Sequence, residues 1–218
     1  MKTPWGKRAF DMVVGGGLLI LTLPVIVLCL LVSAIAYRAW PLFVQPRVGF
    51  RGGELKVVKV RTLPPACPKF IDKHGLQAID TPALFMLMRR LHLDELPQLA
   101  LVAAGRMSLV GPRPEMRVLH DQLDPAFAEA RTSVRPGCTG LWQISTANEG
   151  LIGAAPEFDE FYIQNLDPRL DGWVLVQTAR KMLGGRAGIS LDSVPTWCAT
   201  GEADARLAEL STVGAGGR

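Results

Sequence analysis

A long uncharged run near the N-terminus constrains this chain more than any other feature. Residues 12–37 form a run of 26 positions without one Asp, Glu, Lys or Arg, although 20% of the 218 residues are charged. A straight helix of that length measures ~39 Å at about 1.5 Å per residue, which exceeds the ~30 Å hydrocarbon core of a bilayer. The run is too long for a typical signal peptide. On length alone it predicts a helix that crosses a membrane.

Two features favour a path in which the run enters and leaves the membrane on one side. Pro24 lies at its middle, and a proline inside a helix kinks or breaks it; Thr22 is placed to satisfy a carbonyl freed there. Basic residues, which favour the cytoplasmic side, flank both ends: Lys2, Lys7 and Arg8 precede the run, and Arg38, Arg47 and Arg51 follow it. A helix–break–helix hairpin and a kinked transmembrane helix both stay open.

The charge is distributed unevenly along the chain. Residues 1–61 carry 9 Lys or Arg against 2 Asp or Glu, a balance of +7, whereas residues 62–218 carry 15 against 18, a balance of −3. The basic excess borders the apolar run and fits attraction to anionic lipid. No nucleic-acid partner is expected, because no motif of a nucleic-acid-binding protein accompanies it. The four widely spaced cysteines predict reduced thiols in a cytoplasmic domain, although their even number leaves disulfides open.

The whole chain predicts an α+β fold in three parts. Residues 1–40 form the membrane-embedded helix–break–helix, residues 41–184 a small, mainly helical domain with short strands, and residues 185–218 a Gly-, Ala- and Ser-rich tail that we expect to be loosely attached. Two short strands are predicted within 42–62, followed by a proline-bearing loop over 63–82. Helices are predicted at 82–90, from about 94 to 104, and at 125–132, 157–166, 171–183 and 202–210, with a loop and a strand in 133–145.

Residues 93–99, LDELPQL, are the most informative stretch. Leucines at three-residue spacing give a helix a buried stripe, and Pro97 is tolerated so near a helix start. In a purely structural interpretation, Asp94 is the N-cap of this helix and Glu95 complements its dipole. In the functional interpretation, the two adjacent carboxylates take part in chemistry together with arginines from elsewhere in the chain.

Residues 111–114, GPRP, supply such an arginine. Two prolines fix the backbone around Arg113 and present its guanidinium rigidly, which suits bidentate phosphate binding; a rigid turn with a solvated arginine is the alternative. Asp159 and Asp171 flank a tyrosine-bearing helix further along, and each is equally compatible with a surface carboxylate. Carboxylates combined with arginines predict Mg²⁺ and phosphate chemistry.

Read in order, these motifs resemble those of the bacterial sugar transferases, the monotopic polyprenol-phosphate phosphoglycosyl transferases. The resemblance extends over residues 7–178 and is carried by KRAFD (7–11), the central Pro24, QPRVG (45–49), KVRT (59–62), LDELPQL (93–99), MSLVGPRP (107–114) and PGCTGLWQ (136–143). Ordered motifs over such a length are far more specific than any one of them alone. Residues 185–218 lie outside the resemblance.

The resemblance implies both a location and a reaction. The location is the bacterial inner membrane, with a re-entrant membrane helix and the catalytic domain on the cytoplasmic face. The reaction is transfer of a sugar-1-phosphate from a nucleotide diphosphate sugar, usually UDP-linked, to polyprenol phosphate, which initiates surface glycan synthesis. The bilayer and the two substrates are therefore the expected partners. The oligomeric state stays open between a monomer and a homodimer.

Residue by residue, the resemblance also implies roles at the site. Asp94 is the nucleophile that forms an aspartyl phosphosugar, and Glu95 helps to hold Mg²⁺. A carboxylate can carry a phosphoryl group covalently, and its attack on an anionic diphosphate requires neutralising cations. The remaining matches are Arg89 near the acidic pair, Pro112 and Arg113 in the phosphate-binding stretch, and Asp159 and Asp171 as two later site acids.

The chain departs from the family pattern at three places. Arg106 stands where an acid is usual, Val60 where phenylalanine is common, and residues 144–148 read ISTAN where the family has Val-x-Gly-Arg. These departures concern nucleotide or sugar recognition near residues 144–153. They motivate an alternative function, a catalytically altered, membrane-anchored adaptor of a glycan assembly complex. A third interpretation is a bitopic protein whose domain faces outward and whose carboxylates are structural.

Overall fold

The computed structural model describes residues 5–67, 79, 81–184 and 188–198. These form a mixed helix and strand fold, as the sequence predicts. The helices are α1 (Trp5–Tyr37), α2 (Ala83–Arg90), α3 (Leu99–Ala103), α4 (Arg117–His120), α5 (Pro125–Thr132), α6 (Leu141–Ile144), α7 (Glu157–Gln164) and α8 (Pro168–Met182). The strands are β1 (Leu42–Val48), β2 (Glu54–Val60), β3 (Ser108–Val110) and β4 (Gly137–Thr139), and short 3₁₀ helices lie at Phe50–Gly52, Leu93–Gln98, Thr146–Glu149, Ile152–Ala154, Leu191–Ser193 and Thr196–Cys198.

The apolar run forms most of α1, a helix of 33 residues that is long and apolar enough to cross a membrane. The chain stays helical through Pro24, so the predicted helix–break–helix is not seen as two separate helices. A proline removes only one backbone donor, and the helix tolerates that loss here. The Thr22 hydroxyl donates to the Leu18 carbonyl at 2.7 Å. It does not reach the Ile20 carbonyl, which is the one that Pro24 deprives of its donor.

One face of α1 packs on the rest of the protein along the whole helix. Its buried residues are three, four or eleven positions apart, which places them on one side of a helix with about 3.6 residues per turn: Lys7, Asp11, Gly15, Ile26, Cys29 and Ser33. Near one end the Ser108 hydroxyl donates to Asp11 at 2.6 Å. Near the other the Ser33 hydroxyl donates to the Arg61 carbonyl at 2.7 Å. Both ends of α1 are therefore fixed to the same folded domain.

The opposite face of α1 is apolar and exposed. Val13, Ile20, Leu21 and Ile35 each leave about three-quarters of their surface uncovered, and continuous apolar surface of this kind marks contact with a membrane or another protein. On the packed face, Gly15 brings α1 against α3, because a Cβ at this position would lie 2.6 Å from a methyl carbon of Val102.

The predicted strand pair within residues 42–62 is confirmed. β1 and β2 are antiparallel, with Leu42 opposite Val60 and Val48 opposite Glu54. Alternate residues of β2 enter the core, among them Leu55 and Val57, as expected for a half-buried strand. This face of β2 packs on residues 93–98, so the hairpin lies directly against the acidic stretch.

The single helix predicted from about residue 94 to 104 is instead two short ones. A 3₁₀ helix over Leu93–Gln98 leads into α3, and His92 before it adopts a left-handed conformation with φ of 53°. Pro97 has no N–H to donate to the preceding turn, which weakens regular α-helical pairing at this point. Beyond α3, the parallel strands β3 and β4 pair Ser108 with Gly137 and Val110 with Thr139.

The C-terminal part is more closely packed than the sequence predicts. The helices predicted near 125–132, 157–166 and 171–183 are confirmed as α5, α7 and α8. Residues 188–198, which the sequence assigns to a loosely attached tail, pack on the core: Ile189 bridges to Ser145, and the side chains of Val194 and Cys198 are buried. Their apolar side chains account for this attachment. The helix predicted at 202–210 lies outside the described residues.

Candidate active site

The site is built around two adjacent carboxylates at the start of the 3₁₀ helix. Glu95 receives two cations on the same oxygen: Lys59 Nζ lies 2.5 Å and Arg113 Nη2 3.5 Å from its Oε1. Lys59 comes from β2, and Arg113 from the loop after β3. Asp94, which is 9% exposed, forms no hydrogen bond or ion pair with any described residue. One carboxylate is thus held by cations while its neighbour is left free.

The electrostatics separate the two acids further. Burial alone would raise the pKa of Glu95, but the positive charges of Lys59 and Arg113 hold it well below its usual range. Burial raises the pKa of Asp94, and the charge of Glu95 raises it again, against the opposing charges of Lys59 and Arg89. Glu95 is therefore a fixed anion, and Asp94 is the less stabilised and more basic carboxylate of the pair.

The predicted capping role of Asp94 is not what the structure shows. The N-cap residue of the 3₁₀ helix is His92, and its side chain makes no capping hydrogen bond. Because Asp94 lies inside the first turn, its carboxylate is not consumed by the backbone amides that an N-cap would bind. The structural alternative of an Asp94 cap is therefore wrong, and the carboxylate stays available for chemistry.

The loop of residues 112–115 is held in place by its backbone. Four successive carbonyl oxygens accept hydrogen bonds from four different donors: Pro112 from Gly137 N–H (3.0 Å), Arg113 from Arg131 Nη2 (2.7 Å), Pro114 from Arg47 Nη1 (3.3 Å), and Glu115 from Val48 N–H (2.8 Å). Bonds at four consecutive carbonyls fix the backbone at Arg113, and the contact of its Nη2 with Glu95 directs the guanidinium toward the acidic pair. Preorganised donors of this kind suit an anionic ligand.

Two of the predicted site acids lie in ion pairs behind this loop. Asp159 accepts a hydrogen bond from Arg131 Nε at 2.7 Å, with both side chains less than 5% exposed. Because Arg131 also holds the Arg113 carbonyl, Asp159 is connected to the site through one intermediate residue. Its part in the chemistry stays a prediction.

Asp171 lies in a buried network that attaches α1 to the domain. Lys7 Nζ lies 2.6 Å from its Oδ2, and the Tyr162 hydroxyl donates to its Oδ1 at 2.8 Å. Lys7 also donates to the Val110 carbonyl, and the Tyr162 oxygen lies 2.7 Å from the same carbonyl, so the single hydroxyl hydrogen of Tyr162 is shared between Asp171 and Val110. Val110 is one residue before Gly111. In the structure Asp171 therefore binds the membrane helix, and contact with a substrate stays a prediction.

Two residues that contact the site, Lys59 and Arg47, were not predicted from the sequence to lie there. Lys59 and Arg47 both lie in quoted motifs, but no role followed for Lys59, and Arg47 was counted among the basic residues flanking the apolar run. Arg47 instead bonds to Gln45 and Glu115 beside the site, where burial and the charge of Arg113 lower its pKa to about 10. The signal that could have found them was a charged residue within a strand whose neighbours are apolar.

The other predicted residues take more peripheral places. Arg89, in the last turn of α2, acts on Asp94 through its charge and forms no ion pair in the described part of the chain. The Arg106 side chain is exposed, and its hydrogen bond within the described part of the chain is to the Glu54 carbonyl at 3.5 Å. Within residues 144–153, Ile152 lines an open groove of about 560 Å³ that Glu115 also lines. That groove therefore adjoins the site through the Glu115–Arg47 ion pair.

The donor set fits a Mg²⁺ ion only in part. Asp94 and Glu95 offer hard oxygen ligands of the kind that Mg²⁺ prefers, yet one oxygen of Glu95 is already bound by two cations. No group of three His, Cys, Asp or Glu side chains suited to a metal occurs among the described residues. An ion here would thus take at most these two carboxylates from the described protein, and complete its shell from water and a substrate phosphate.

Fold and site together define a protein with an apolar anchor helix and a cation-lined acidic pair suited to phosphate chemistry. The family model for bacterial sugar transferases matches residues 2–185. The chain therefore belongs to the bacterial sugar transferase family.

Its relatives carry names consistent with this membership. The exopolysaccharide production protein ExoY of Sinorhizobium fredii is 33% identical over 179 residues, which cover 73% of this chain and 77% of the relative. The undecaprenyl-phosphate glucose phosphotransferase of Komagataeibacter xylinus is 35% identical over 161 residues, 67% of this chain and 29% of the relative. An undecaprenyl-phosphate N-acetylgalactosaminephosphotransferase of Aeromonas hydrophila is 34% identical over 156 residues, 66% and 36% respectively. The chain spans 29% and 36% of the length of the latter two relatives.

Proposed function

We propose that the protein transfers a sugar-1-phosphate from a nucleotide diphosphate sugar, with UDP as the expected nucleotide, to polyprenol phosphate. The observation that carries this proposal is the asymmetry of the acidic pair: Glu95 is bound by Lys59 and Arg113, whereas the Asp94 carboxylate has no such partner among the described residues. The relatives named as undecaprenyl-phosphate sugar phosphotransferases support the choice of substrates. The product, a sugar linked to polyprenol through a diphosphate, would initiate an exopolysaccharide or another surface glycan.

The reaction proceeds in two displacements at phosphorus. A carboxylate oxygen of Asp94 attacks the β-phosphorus, the bond to the bridging oxygen breaks, and UMP leaves with the electron pair. A phosphate oxygen of the polyprenol phosphate then attacks the aspartyl phosphosugar and releases the Asp94 carboxylate. Arg113 and Lys59 neutralise the negative charge that accumulates in both steps. The raised pKa of Asp94 corresponds to a stronger nucleophile than an ordinary aspartate.

A divalent cation completes this proposal. Mg²⁺ bound by Asp94 and Glu95 would neutralise charge on the diphosphate of the donor. The residues of the chain position the donor independently of the ion, because Arg113 is fixed by its backbone and Lys59 by Glu95. Glu95 would therefore orient the cationic side chains and also serve as a ligand of the ion.

The proposed location is the cytoplasmic face of the inner membrane, with α1 entering and leaving the bilayer on that side. Its support is the packing of α1 at both ends on one domain, since a helix crossing the bilayer would carry one end away from it. Single cysteines at Trp5 and Arg38, labelled from outside intact cells, test this path. Both should be protected from an impermeant reagent, and labelling of one but not the other would refute it.

The chemistry is tested by incubating the purified protein with labelled UDP-sugars and no acceptor. We expect UMP release in an amount close to that of the enzyme, with label retained on Asp94. Asp94→Asn should abolish both, whereas Asp121→Asn, a matched change at an exposed acid, should leave both unchanged. An Asp94→Asn variant with wild-type turnover would exclude the covalent intermediate. Complete absence of UMP with every nucleotide sugar would favour the adaptor.

A further inference from the structure

A second concave site lies away from the acidic pair, at the N-terminal end of α1. It is an open groove of about 930 Å³ between the first turns of α1, the turn at Phe50–Gly52 and the end of α5. Three arginines line it, Arg8, Arg51 and Arg135, together with the aromatic side chains of Trp5 and Phe50. None of the residues that contact Glu95 lines this groove.

The three arginines of the groove lie close together, and fewer acidic residues than arginines line it. The guanidinium carbons of Arg51 and Arg135 lie 5.1 Å and 4.7 Å from the centroid of the same ring, Phe50. Glu129 is the one acidic residue in the lining, and none of the three arginines forms an ion pair with a carboxylate in the described part of the chain. Two positive charges beside the same ring repel each other, so binding of an anion between them is favourable.

The groove is also apolar on its membrane side. Met12 and Val13 line it, and they begin both the uncharged run and the exposed apolar face of α1; Val13 is 74% exposed. Trp5, 84% exposed, stands at the rim, where tryptophan commonly marks the boundary between headgroups and acyl chains. A ligand that fits this lining carries an anionic group at one end and hydrocarbon at the other.

We propose that this groove binds an anionic phospholipid of the surrounding leaflet. Its phosphate lies among Arg8, Arg51 and Arg135, and an acyl chain follows Met12 and Val13. The proposal rests on the membrane placement of α1 given under the proposed function. A leaflet phospholipid fits better than the polyprenol phosphate acceptor, because the acceptor phosphate must reach Asp94 and none of the cations around that residue lines the groove.

Quenching of Trp5 fluorescence by brominated lipids tests the proposal. The full-length protein is reconstituted in vesicles of fixed phosphatidylcholine and phosphatidylglycerol content, with bromine on the acyl chains of one lipid or the other. The fluorescence of Trp5 is obtained as the difference in fluorescence between the wild type and the Trp5→Phe variant. Trp40, exposed beyond the other end of α1 and outside the groove, gives a matched signal through Trp40→Phe.

We expect brominated phosphatidylglycerol to quench Trp5 about fivefold or more better than brominated phosphatidylcholine does. Quenching of Trp40 should not differ between the two lipids. Arg51→Asn should reduce the Trp5 selectivity by about fivefold, since one arginine near a membrane surface contributes that much. Asparagine tolerates the left-handed conformation of Arg51, with φ of 55°. Arg8→Gln should act in the same direction, whereas Arg169→Gln, at an exposed arginine outside the groove, should have no effect.

Three results would overturn the proposal, and they differ in what else they affect. Equal quenching of Trp5 by both lipids would exclude a phosphatidylglycerol site in the groove but would still agree with the membrane placement of α1. Absence of quenching by either lipid would exclude both the lipid site in the groove and the membrane placement of α1. Displacement of brominated phosphatidylglycerol from Trp5 by a small fraction of unlabelled polyprenol phosphate would assign the groove to the acceptor instead.

Discussion

Substitution of Asp159 distinguishes a role in positioning from a direct role in chemistry. The structure buries its ion pair with Arg131 almost completely, and Arg131 in turn holds the Arg113 carbonyl. Asp159→Asn preserves the size of the side chain and leaves the Arg131 charge buried without its counter-charge. Removing one member of a buried pair costs about 3–5 kcal/mol, and we expect the lower end, because the asparagine oxygen can still accept a hydrogen bond.

The first assay for this variant is thermal unfolding in detergent or vesicles. A loss of about 3 kcal/mol corresponds to a Tm lower by about 6–12 °C for a chain of this size. Asp121→Asn is the matched control, because it breaks an exposed pair with Arg117 whose side chains are more than half exposed. Such pairs contribute about 0–1 kcal/mol, so its Tm should change by no more than about 4 °C.

The second assay is UMP release at a temperature where the variant is fully folded. Displacement of Arg113 should raise KM for the nucleotide sugar more than it lowers kcat, since Asp159 acts on substrate only through two other residues. Arg131→Lys should reproduce part of this effect. Lysine keeps the positive charge, but it lacks the two separate nitrogens with which Arg131 binds Asp159 and the Arg113 carbonyl. Unchanged stability together with a large loss of kcat in Asp159→Asn would refute this reasoning and place Asp159 in direct contact with the reacting groups.

Three further predictions concern the acidic pair and the membrane helix. The acid limb of the pH profile for UMP release should lie above the ordinary pKa of aspartate, because burial and Glu95 raise the pKa of Asp94. Lys59→Met should move that limb to still higher pH, since Lys59 lowers the pKa of Asp94; a limb that stays in place would contradict this. Gly15→Val should destabilise the protein by about 1–3 kcal/mol through overpacking against Val102, measured by Tm, whereas Gly6→Val, at an open position of the same helix, should cost less than about 1 kcal/mol.

Local patterns predicted much of the fold. The β1–β2 hairpin followed from β-branched residues around a glycine turn, and α5, α7 and α8 followed from apolar periodicity. The two prolines that flank Arg113 predicted a constrained loop, and the backbone of that loop is held by hydrogen bonds. Each of these depends on interactions between residues close in sequence, which is why a single sequence carries them.

Contacts between distant segments account for what the sequence analysis missed. Lys59 and Glu95 are 36 residues apart, and nothing in either motif alone shows that β2 packs on the 3₁₀ helix. Arg131 gives no local signal, since its partners lie in two other segments. Residues 188–198 were assigned to a loose tail by composition, whereas a few apolar side chains, Val194 among them, suffice to attach them to the core.

The network around Lys7 has a consequence for anyone seeking a soluble fragment of this enzyme. Removing α1 to improve expression would delete Lys7 and Asp11, the partners of Asp171 and Ser108, and would uncover Val102, against which Gly15 packs. Apolar side chains uncovered in this way favour aggregation. Truncation at residue 40 should therefore yield an aggregating fragment, so expression and crystallisation trials have to retain the helix and supply it with lipid or detergent.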